Sequence, residues 1–351
     1  MNRSACVNAD IQSFEKNLFS GFSRCGLALR GRSAGKGSLL IAVSGGADSM
    51  ALLTGAARLC PGTGFSLRAI TIDHGIRPRA ESAGDAEFVA AYCRSLGVPC
   101  AVRAFEPGRV AALASERGMG TEEAARFLRY REFEAALGEG ERLCLAHTRD
   151  DNLETILLRF LQGSASGPLG GIPPERGRVK RPMLDMSRAS VEAYLTALAV
   201  PFRRDSTNGD TAFLRNRIRG ILVPLLNQSF PGWDRALLRG AEKLRDDGDA
   251  LAMASLALDW AEREGGAGLE LPWGTFFAQP RAIRRELLYR AWGRLDGEDG
   301  APGRLPYPVV SRIISGDLPQ TVLGREFARL DGAIVVQTSI HRRKLPGRAL
   351  G

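Results

Sequence analysis

The sequence predicts an α/β fold, a parallel sheet with helices on both faces, followed by a smaller, mainly helical C-terminal domain. Three observations support this prediction. Short apolar runs alternate with segments of helical periodicity up to about residue 160, a pattern typical of parallel βαβ units. One apolar run ends in a glycine-rich turn that leads into a helix, and all four tryptophans lie after residue 230. We therefore expect a Rossmann-like sheet first and a separate domain after it.

The first domain alternates strand and helix in chain order. Leu39–Val43 is an apolar run typical of a buried strand, and a helix over 48–59 follows the turn directly. The same pattern predicts further strands at 67–73, 100–105 and 142–146, and further helices at 85–96 and 150–161. TEEAARFLRYREFEAAL is expected to be a helix with Thr121 as its N-cap. Ligands of such sheets bind beyond the carboxyl ends of the strands.

A change in composition near residue 230 indicates a domain boundary at about 227–233. We expect a catalytic domain over residues 1–230 and a C-terminal domain over 231–351. In the second domain the periodicity predicts helices within 234–264 and over 281–295, and Asp331-Gly332 predicts the turn of a β-hairpin over 326–337. Glycine and proline between residues 162 and 177 predict a loop without regular structure.

Length and charge set the class of protein. The 351 residues with 44% hydrophobic content are enough for about two domains with buried cores. The formal net charge of +9 favours a polyanionic partner such as nucleic acid, because basic side chains release counterions when they bind it. The alternative is a compositional bias towards arginine, since the chain has only five lysines.

Two further features exclude other classes. The six cysteines form no C-x-x-C pair, which disfavours a zinc ribbon, an iron–sulfur site or a redox dithiol. No apolar stretch is long enough for a signal peptide or a bilayer span. We therefore expect a cytoplasmic protein that does not contact a membrane.

The glycine-rich turn Ser44–Ser49 is the most informative motif. It consists of Ser44, Gly45, Gly46, Ala47, Asp48 and Ser49. Backbone N–H groups at such a turn can bind phosphate, and Asp48 beside the phosphate indicates a divalent cation between them. The turn lacks the Gly-Lys-Ser/Thr of a Walker A loop and the G-x-G-x-x-G spacing of a dinucleotide site, so hydride chemistry is disfavoured.

Polar residues also follow the other strands. Asp73 and His74 come directly after the second strand, where His74 is either a site residue or a solvated turn residue. After the fourth strand, His147 precedes a helix on which Asp151 and Glu154 are three residues apart. These two carboxylates can converge on one cation or ammonium, although acidic residues are also common at a helix N-terminus.

Arginines on two helices complete the candidate set. Arg126 can bind a carboxylate or phosphate, whereas Arg129 on the same helix side is expected to be solvated. Arg215 and Arg219 lie one helical turn apart and repel each other unless an anion is present, so phosphate contact is one interpretation. A salt-bridged surface helix is the other.

Taken in order, six motifs resemble those of the tRNA(Ile)-lysidine synthetases, which are PP-loop ATP pyrophosphatases. The motifs are SGGADS, DHGIR, EEAARFLRY, AHTRDDNLET, RPML, and DSTN followed by LRNRIR, within about residues 38 to 226. The resemblance implies ATP-dependent joining of free L-lysine to carbon 2 of the wobble cytidine in the CAU anticodon of tRNA(Ile). The products would be lysidine, AMP and pyrophosphate, formed through an adenylated cytidine.

The resemblance also implies roles for the candidate residues. Pyrophosphate would bind at Ser44–Ser49, with Mg2+ near Asp48. Asp151 and Glu154 would hold the amino groups of lysine and Arg126 its carboxylate, with His147 assisting. Arg215, Arg217 and Arg219 would contact the RNA backbone. Formation of a homodimer stays open.

Two alternatives remain at this point. One is another PP-loop enzyme, a tRNA thiolase or an amide-forming synthetase, which the lack of C-x-x-C and of a glutaminase-like segment disfavours. The other is a tRNA-binding protein that has lost catalysis. Charged residues that converge on one nucleotide pocket disfavour it, because a binding protein does not need them.

Overall fold

A computed structural model describes residues 3–29, 36–75, 79–164, 166–203, 214–263, 268–295 and 305–338. The chain divides into two compact units, Met1–Glu242 and Lys243–Gly351. This division lies later in the chain than the predicted boundary at 227–233. None of the helices in the described ranges has the length and apolar character needed to cross a membrane.

The first unit is built on a six-stranded sheet of order β3-β2-β1-β4-β6-β5. Its strands are β1 (Gly37–Ala42), β2 (Phe65–Asp73), β3 (Cys100–Ala104), β4 (Arg142–Cys144), β5 (Glu175–Arg176) and β6 (Val179–Lys180). The five strands from β3 to β6 are parallel, and β5 pairs with β6 in antiparallel orientation. The predicted α/β class with a mostly parallel sheet is confirmed, because β1 lies between β2 and β4 as in doubly wound folds.

The first unit also contains helices. They are α1 (Arg3–Arg24), α2 (Ala47–Leu59), α3 (Arg79–Ser95), α4 (Arg109–Arg117), α5 (Thr121–Ala136), α6 (Arg149–Leu161), α7 (Ser166–Leu169), α8 (Arg188–Ala197), α9 (Leu214–Arg217) and α10 (Val223–Ser229). A π-helical segment, Ile218–Leu222, joins α9 to α10, and α11 (Trp233–Leu256) follows. The sequence analysis did not predict α1, α4 or α8.

Alternating side chains of β1 are buried on opposite faces of the sheet. Leu39 and Ile41 belong to a core that includes Phe14 of α1 and Tyr194 of α8, whose rings stack with centroids 3.9 Å apart. Leu40 belongs to a second core that also contains the following residues: Ile70, Phe133, Leu143 and Leu145. Because both faces are buried here, β1 is apolar over residues 39–42, as expected for a central parallel strand.

Two local predictions were wrong. Thr121 is not the N-cap of α5, because Gly120 takes the extended cap conformation (φ −68°, ψ 153°) and Thr121 is already helical. The segment 162–177 is not free of regular structure, because it contains α7 and strand β5. Arg159 of α6 stabilises this segment by donating to the carbonyl oxygens of Pro168 and Gly171, each at 2.7 Å.

The second unit combines helices with a five-stranded antiparallel sheet of order β7-β8-β11-β10-β9. The strands are β7 (Ala261–Glu262), β8 (Gly268–Pro272), β9 (Gln320–Val322), β10 (Arg325–Leu330) and β11 (Ala333–Thr338). The helices are α12 (Trp273–Phe277), α13 (Arg281–Arg294) and α14 (Tyr307–Ile314). β10 and β11 pair across Asp331-Gly332, where the sequence predicts a hairpin, and Leu330 lies opposite Ala333. Strands β7, β8 and β9 were not predicted.

Candidate active site

A pocket of about 530 Å³ lies at the carboxyl ends of β1, β2 and β4. This volume is within the range of small-molecule sites, about 300–1,000 Å³. Its apolar floor comes from residues at or just beyond the ends of these strands: Ala42, Val43, Ile70, Ile72, Leu145 and Ala146. Its polar wall comes from Ser44, Asp48, Ser49, His74, Glu122, Arg126, Arg129, Tyr130, His147, Asp151, Arg215, Asn216 and Arg219. The sheet topology therefore brings together most of the residues that the sequence predicts.

The loop Ser44–Ser49 joins β1 to α2 at one end of the pocket. Gly45 has φ +83°, a conformation that glycine adopts without strain, and Gly46 is the N-cap of α2. The Ser49 hydroxyl accepts from the Ser44 N–H at 3.1 Å and donates to the Gly46 carbonyl at 2.9 Å. Gly46 has no side chain that could accept hydrogen bonds from the first N–H groups of α2. An anion can serve as their acceptor instead.

Arg203 supports this loop from outside the pocket. Its backbone N–H donates to the Gly45 carbonyl at 2.9 Å. Its guanidinium lies 4.9 Å from the centroid of the Phe88 ring, and its Nε is 3.5 Å from Asp85 Oδ1. The sequence analysis did not single out Arg203, because its distance of more than 150 residues from the loop leaves no local signal.

Asp48 presents an unsatisfied oxygen in the first turn of α2. Its Oδ1 is buried without a hydrogen-bond partner among the described residues, and its Oδ2 is 3.7 Å from Nη2 of Arg188. Burial raises the pKa of Asp48 to about 6, and the nearby Arg188 only partly offsets this effect. A buried, unpaired carboxylate oxygen is uncommon, and a cation brought by a ligand would satisfy it. Within the described ranges no three His, Cys, Asp or Glu side chains converge as a preformed metal site.

Asp151 belongs to the capping box at the start of α6. Its Oδ2 accepts from the Thr148 N–H at 2.9 Å, while its Oδ1 is 3.2 Å from Nη2 of Arg215. Burial acts to raise the pKa of Asp151, but the bond from Thr148 and the charge of Arg215 outweigh it, so the pKa is lowered. The adjacent Asp150 does not line the pocket. Its Oδ2 accepts from the Arg188 N–H at 2.8 Å, at the start of α8.

Glu154 is almost fully buried one helical turn later and binds two arginines. Nε and Nη2 of Arg219 lie 2.6 and 2.8 Å from its two carboxylate oxygens, and Nε of Arg215 lies 3.1 Å from Oε2. Of the two interpretations of Arg215 and Arg219, phosphate contact or salt bridges, this conformation contains the salt bridges. Arg217, between them, is exposed and makes no ion pair with a described residue. The structure thus joins the carboxylates predicted for lysine to two of the arginines predicted for RNA.

Two arginines of α5, Arg126 and Arg129, form part of the polar wall of the pocket. Arg126 is exposed, and its guanidinium lies 4.9 Å from the centroid of the Tyr130 ring. Arg129 was expected to be solvated, but this was wrong: it is half-buried and lines the pocket. Burial and the neighbouring Arg126 lower the pKa of Arg129. Two arginines that line the same pocket favour an anionic ligand.

Both histidines in the pocket are held neutral. Burial lowers the pKa of His74 and of His147 to about 4, helped by Arg129 near the first and Arg181 near the second. The Nδ1 atom of each is buried and has no hydrogen-bond partner in the part of the chain that the structure describes. Asp73 does not line the pocket, and its carboxylate accepts from the Gly75 N–H at 2.9 Å, a turn contact.

Comparison with known proteins gives the family. Residues 20–226 match the PP-loop domain family. A protein of Treponema denticola named tRNA(Ile)-lysidine synthase is 41% identical over 240 residues, which are 68% of this chain and 51% of that protein. A protein of the same name from Thermobifida fusca is 37% identical over 320 residues, covering 88% of this chain and 94% of that protein. The chain spans only about half to two thirds of the length of its treponemal relatives.

A solved structure supports the fold. The U34-tRNA thiolase NcsA from Methanococcus maripaludis superposes with a TM-score of 0.53 at 15% identity, over 68% of this chain and 80% of that one. At this identity the similarity concerns the fold alone, and the sequence relatives favour lysidine synthase over the thiolase alternative. The chain therefore belongs to the tRNA(Ile)-lysidine synthase family of PP-loop proteins.

Proposed function

We propose that this protein joins L-lysine to carbon 2 of the wobble cytidine in the CAU anticodon of tRNA(Ile), using ATP. The observation that carries the proposal is that residues of the Ser44–Ser49 loop, including Asp48 with its unpartnered oxygen, and the α5 arginines line one pocket with an apolar floor. In the first step the C2 oxygen of the cytidine attacks the α-phosphorus of ATP and releases pyrophosphate. In the second the ε-amine of lysine attacks C2, and AMP leaves with that oxygen.

The phosphates of ATP would bind at the Ser44–Ser49 loop. Its glycines allow close approach, and the uncapped N-terminus of α2 provides N–H donors and a favourable dipole. Asp48 fits a Mg2+ ion brought with the nucleotide, because this ion is often held by one carboxylate together with substrate phosphates. Mg2+ would supply charge neutralisation of the departing pyrophosphate. His74, on the neighbouring strand end, would contact the nucleotide, and Asp73 would hold that turn.

Lysine would bind between α5 and α6. Asp151 and Glu154 would pair with its amino groups and Arg126 with its carboxylate. The amine must be uncharged to attack. Burial lowers its pKa but the neighbouring carboxylates raise it, so the proton that the amine loses would pass to one of these carboxylates. His147 is neutral at physiological pH, so its Nδ1 can accept a hydrogen bond from the amine and orient it.

The tRNA is the proposed polyanionic partner. The anticodon base is in a single-stranded loop, so it can enter a pocket at modest cost. Arg215, Arg217 and Arg219 would contact the adjacent backbone phosphates. Such an enzyme would act in the cytoplasm, and its assembly as a homodimer is part of the same proposal.

Incorporation of labelled lysine into a CAU-anticodon tRNA(Ile) transcript tests the function. We expect transfer to require ATP and Mg2+, and to disappear when uridine replaces the wobble cytidine. Cleavage of ATP to AMP without lysine transfer would point to another nucleophile. Binding of tRNA with neither reaction would favour the catalytically inactive alternative.

A further inference from the structure

Six charged side chains form one balanced cluster beside the pocket. Asp48, Asp151 and Glu154 face Arg188, Arg215 and Arg219, at N–O distances from 2.6 to 3.9 Å. We call this the acid–arginine cluster. Every carboxylate oxygen of Glu154, and the Asp151 oxygen that is not bound by Thr148, lies within 3.2 Å of a guanidinium nitrogen. An incoming ammonium therefore finds its carboxylates already occupied.

The burial of Glu154 prevents simple opening of this cluster. Its side chain is only 4% exposed, and a buried carboxylate left without a partner is strongly destabilising. Arg215 and Arg219 can leave only if another cation replaces them. They also need an anion at their new position, because two arginines four residues apart repel each other. Lysine supplies the cation, and an RNA backbone supplies the anion.

The backbone around Arg219 has a geometry suited to this exchange. Arg219 lies within the π-helical segment Ile218–Leu222, where the Val223 N–H donates to the Ile218 carbonyl, five residues earlier. Single π turns inside α-helices are rare, and those that occur are often at functional sites. A change from π to α geometry shifts the hydrogen-bond register by one residue, about 100° of rotation, which would turn Arg219 away from Glu154. Among the described residues outside its own helix turn, no atom lies within 4 Å of a Cβ built on Gly220, so this side of the segment is open.

We propose that Arg215 and Arg219 are internal counter-ions that occupy the lysine-binding carboxylates until tRNA draws them away. The inference rests on the proposed function. It makes tRNA and lysine cooperative ligands of one site, because the phosphates take the arginines and thereby free Asp151 and Glu154. Linkage requires the effect to be reciprocal, so lysine also strengthens binding of tRNA.

Calorimetric titration of L-lysine without ATP tests the exchange. The wild-type protein is titrated alone and with a saturating CAU-anticodon tRNA transcript. We expect the lysine Kd to fall by on the order of tenfold when tRNA is present, a usual size for coupling between sites. In Arg219→Gln the RNA-free protein is expected to bind lysine as tightly as the wild type with tRNA, and the coupling is lost. Arg215→Gln is the second variant, with the same expectation.

Arg217→Gln is the matched control. It removes one arginine from the same helix, but Arg217 makes no ion pair with a described residue. We expect it to weaken tRNA binding while the RNA-free protein keeps the wild-type lysine Kd and the coupling persists.

Three results would overturn the inference. Equal lysine Kd values with and without tRNA in the wild type, together with intact lysine transfer, would overturn the exchange and leave the proposed function standing. Weaker lysine binding in Arg219→Gln would mean that this arginine helps to hold lysine. No lysine binding and no transfer in any form would overturn both proposals.

Discussion

The acid–arginine cluster has a loop end, at Asp48, and an α6 end, at Asp151 and Glu154. Arg188 joins the two ends, but they differ in whether their carboxylate oxygens have partners. At the loop end, Asp48 has a buried oxygen without a partner, and its pKa is raised to about 6. At the α6 end, Glu154 has both oxygens bound by arginines, and the pKa of Asp151 is lowered. The loop end is incomplete without a ligand, whereas the α6 end is complete without one. A cation can therefore pair with the loop end directly, whereas at the α6 end it can pair with a carboxylate only by displacing an arginine.

The largest expected effect is that of Asp48→Asn on activity. If the unpartnered Asp48 oxygen pairs with the Mg2+ ion brought with ATP, the substitution removes the negative charge that holds this ion where pyrophosphate departs. We expect lysine transfer to fall by about 10²- to 10³-fold. The measurement is the initial rate of labelled lysine incorporation, with circular dichroism to show an intact fold. A variant that keeps more than a tenth of the wild-type rate would show that the loop end works without this carboxylate.

Glu154→Gln is expected to have the largest effect on stability. It leaves Arg215 and Arg219 without their buried carboxylate, and breaking such a pair from one side costs about 3 kcal/mol of the free energy of unfolding. Urea unfolding measures it. The control is Glu139→Gln, which removes an exposed carboxylate with no ion pair to a described residue, and should leave stability within about 0.5 kcal/mol. Equal losses in the free energy of unfolding for the two substitutions would contradict the view that the Glu154 ion pairs stabilise the fold.

The pH dependence of stability separates the two ends directly. The folded-state pKa of Asp48 is raised above its usual 3.8, so its ionisation destabilises the fold as pH rises from about 4 to 6. Asp48→Asn should therefore be more stable than wild type by on the order of 2 kcal/mol at about pH 8, and equal to it at about pH 4.

Asp151 should show the opposite sign. Its folded-state pKa is lowered, so its stabilisation is present above the usual value and is lost as pH falls through the folded pKa. Asp151→Asn is thus expected to be less stable than wild type at neutral pH, with a difference that shrinks in acid. Urea unfolding over this pH range checks both variants. If both variants are more stable, or both less stable, than the wild type at neutral pH, the two ends do not differ in the way described.

The smallest expected effect is that of Gly45→Ala. The alanine would have to adopt φ +83°, and its Cβ would lie 3.4 Å from Cγ2 of Val89. The left-handed conformation costs about 1 kcal/mol for alanine, so we expect a loss of this size in urea unfolding, together with weaker ATP binding. Gly62→Ala is the control, since its φ of +76° is similar but nothing lies within 4 Å of the added Cβ. The same loss of ATP affinity in both variants would contradict a specific role of the loop.

The sheet and the loop end could be predicted from the sequence because their signals are local. Strand β1, the turn and α2 lie within Gly37–Leu59 and differ in periodicity and glycine content. Helix α1 was missed although Phe14 and Leu18 are spaced as on one helix face, because no strand precedes it to suggest a βαβ unit. The short strands β7 and β9 have two and three residues, too few for a pattern.

The α6 end could be predicted only in part. Asp151 and Glu154 are visible as a pair on one helix, but their partners Arg215 and Arg219 follow more than 60 residues later. The repulsion between arginines at i and i+4 indicated an anion, and the structure identifies that anion as the protein's own carboxylates in this conformation. Arg188 and Arg129 had no such signal. Their positions follow from how α8 and α5 pack, which local sequence does not determine.

The most direct test of the account is tRNA-dependent exchange of labelled pyrophosphate into ATP. If the loop end activates the cytidine before the α6 end receives lysine, exchange should require ATP and a CAU-anticodon tRNA but no lysine. It should vanish in Asp48→Asn and with a transcript carrying uridine at the wobble position. Exchange supported by lysine alone, without tRNA, would mean that the amino acid is adenylated instead and would contradict the account.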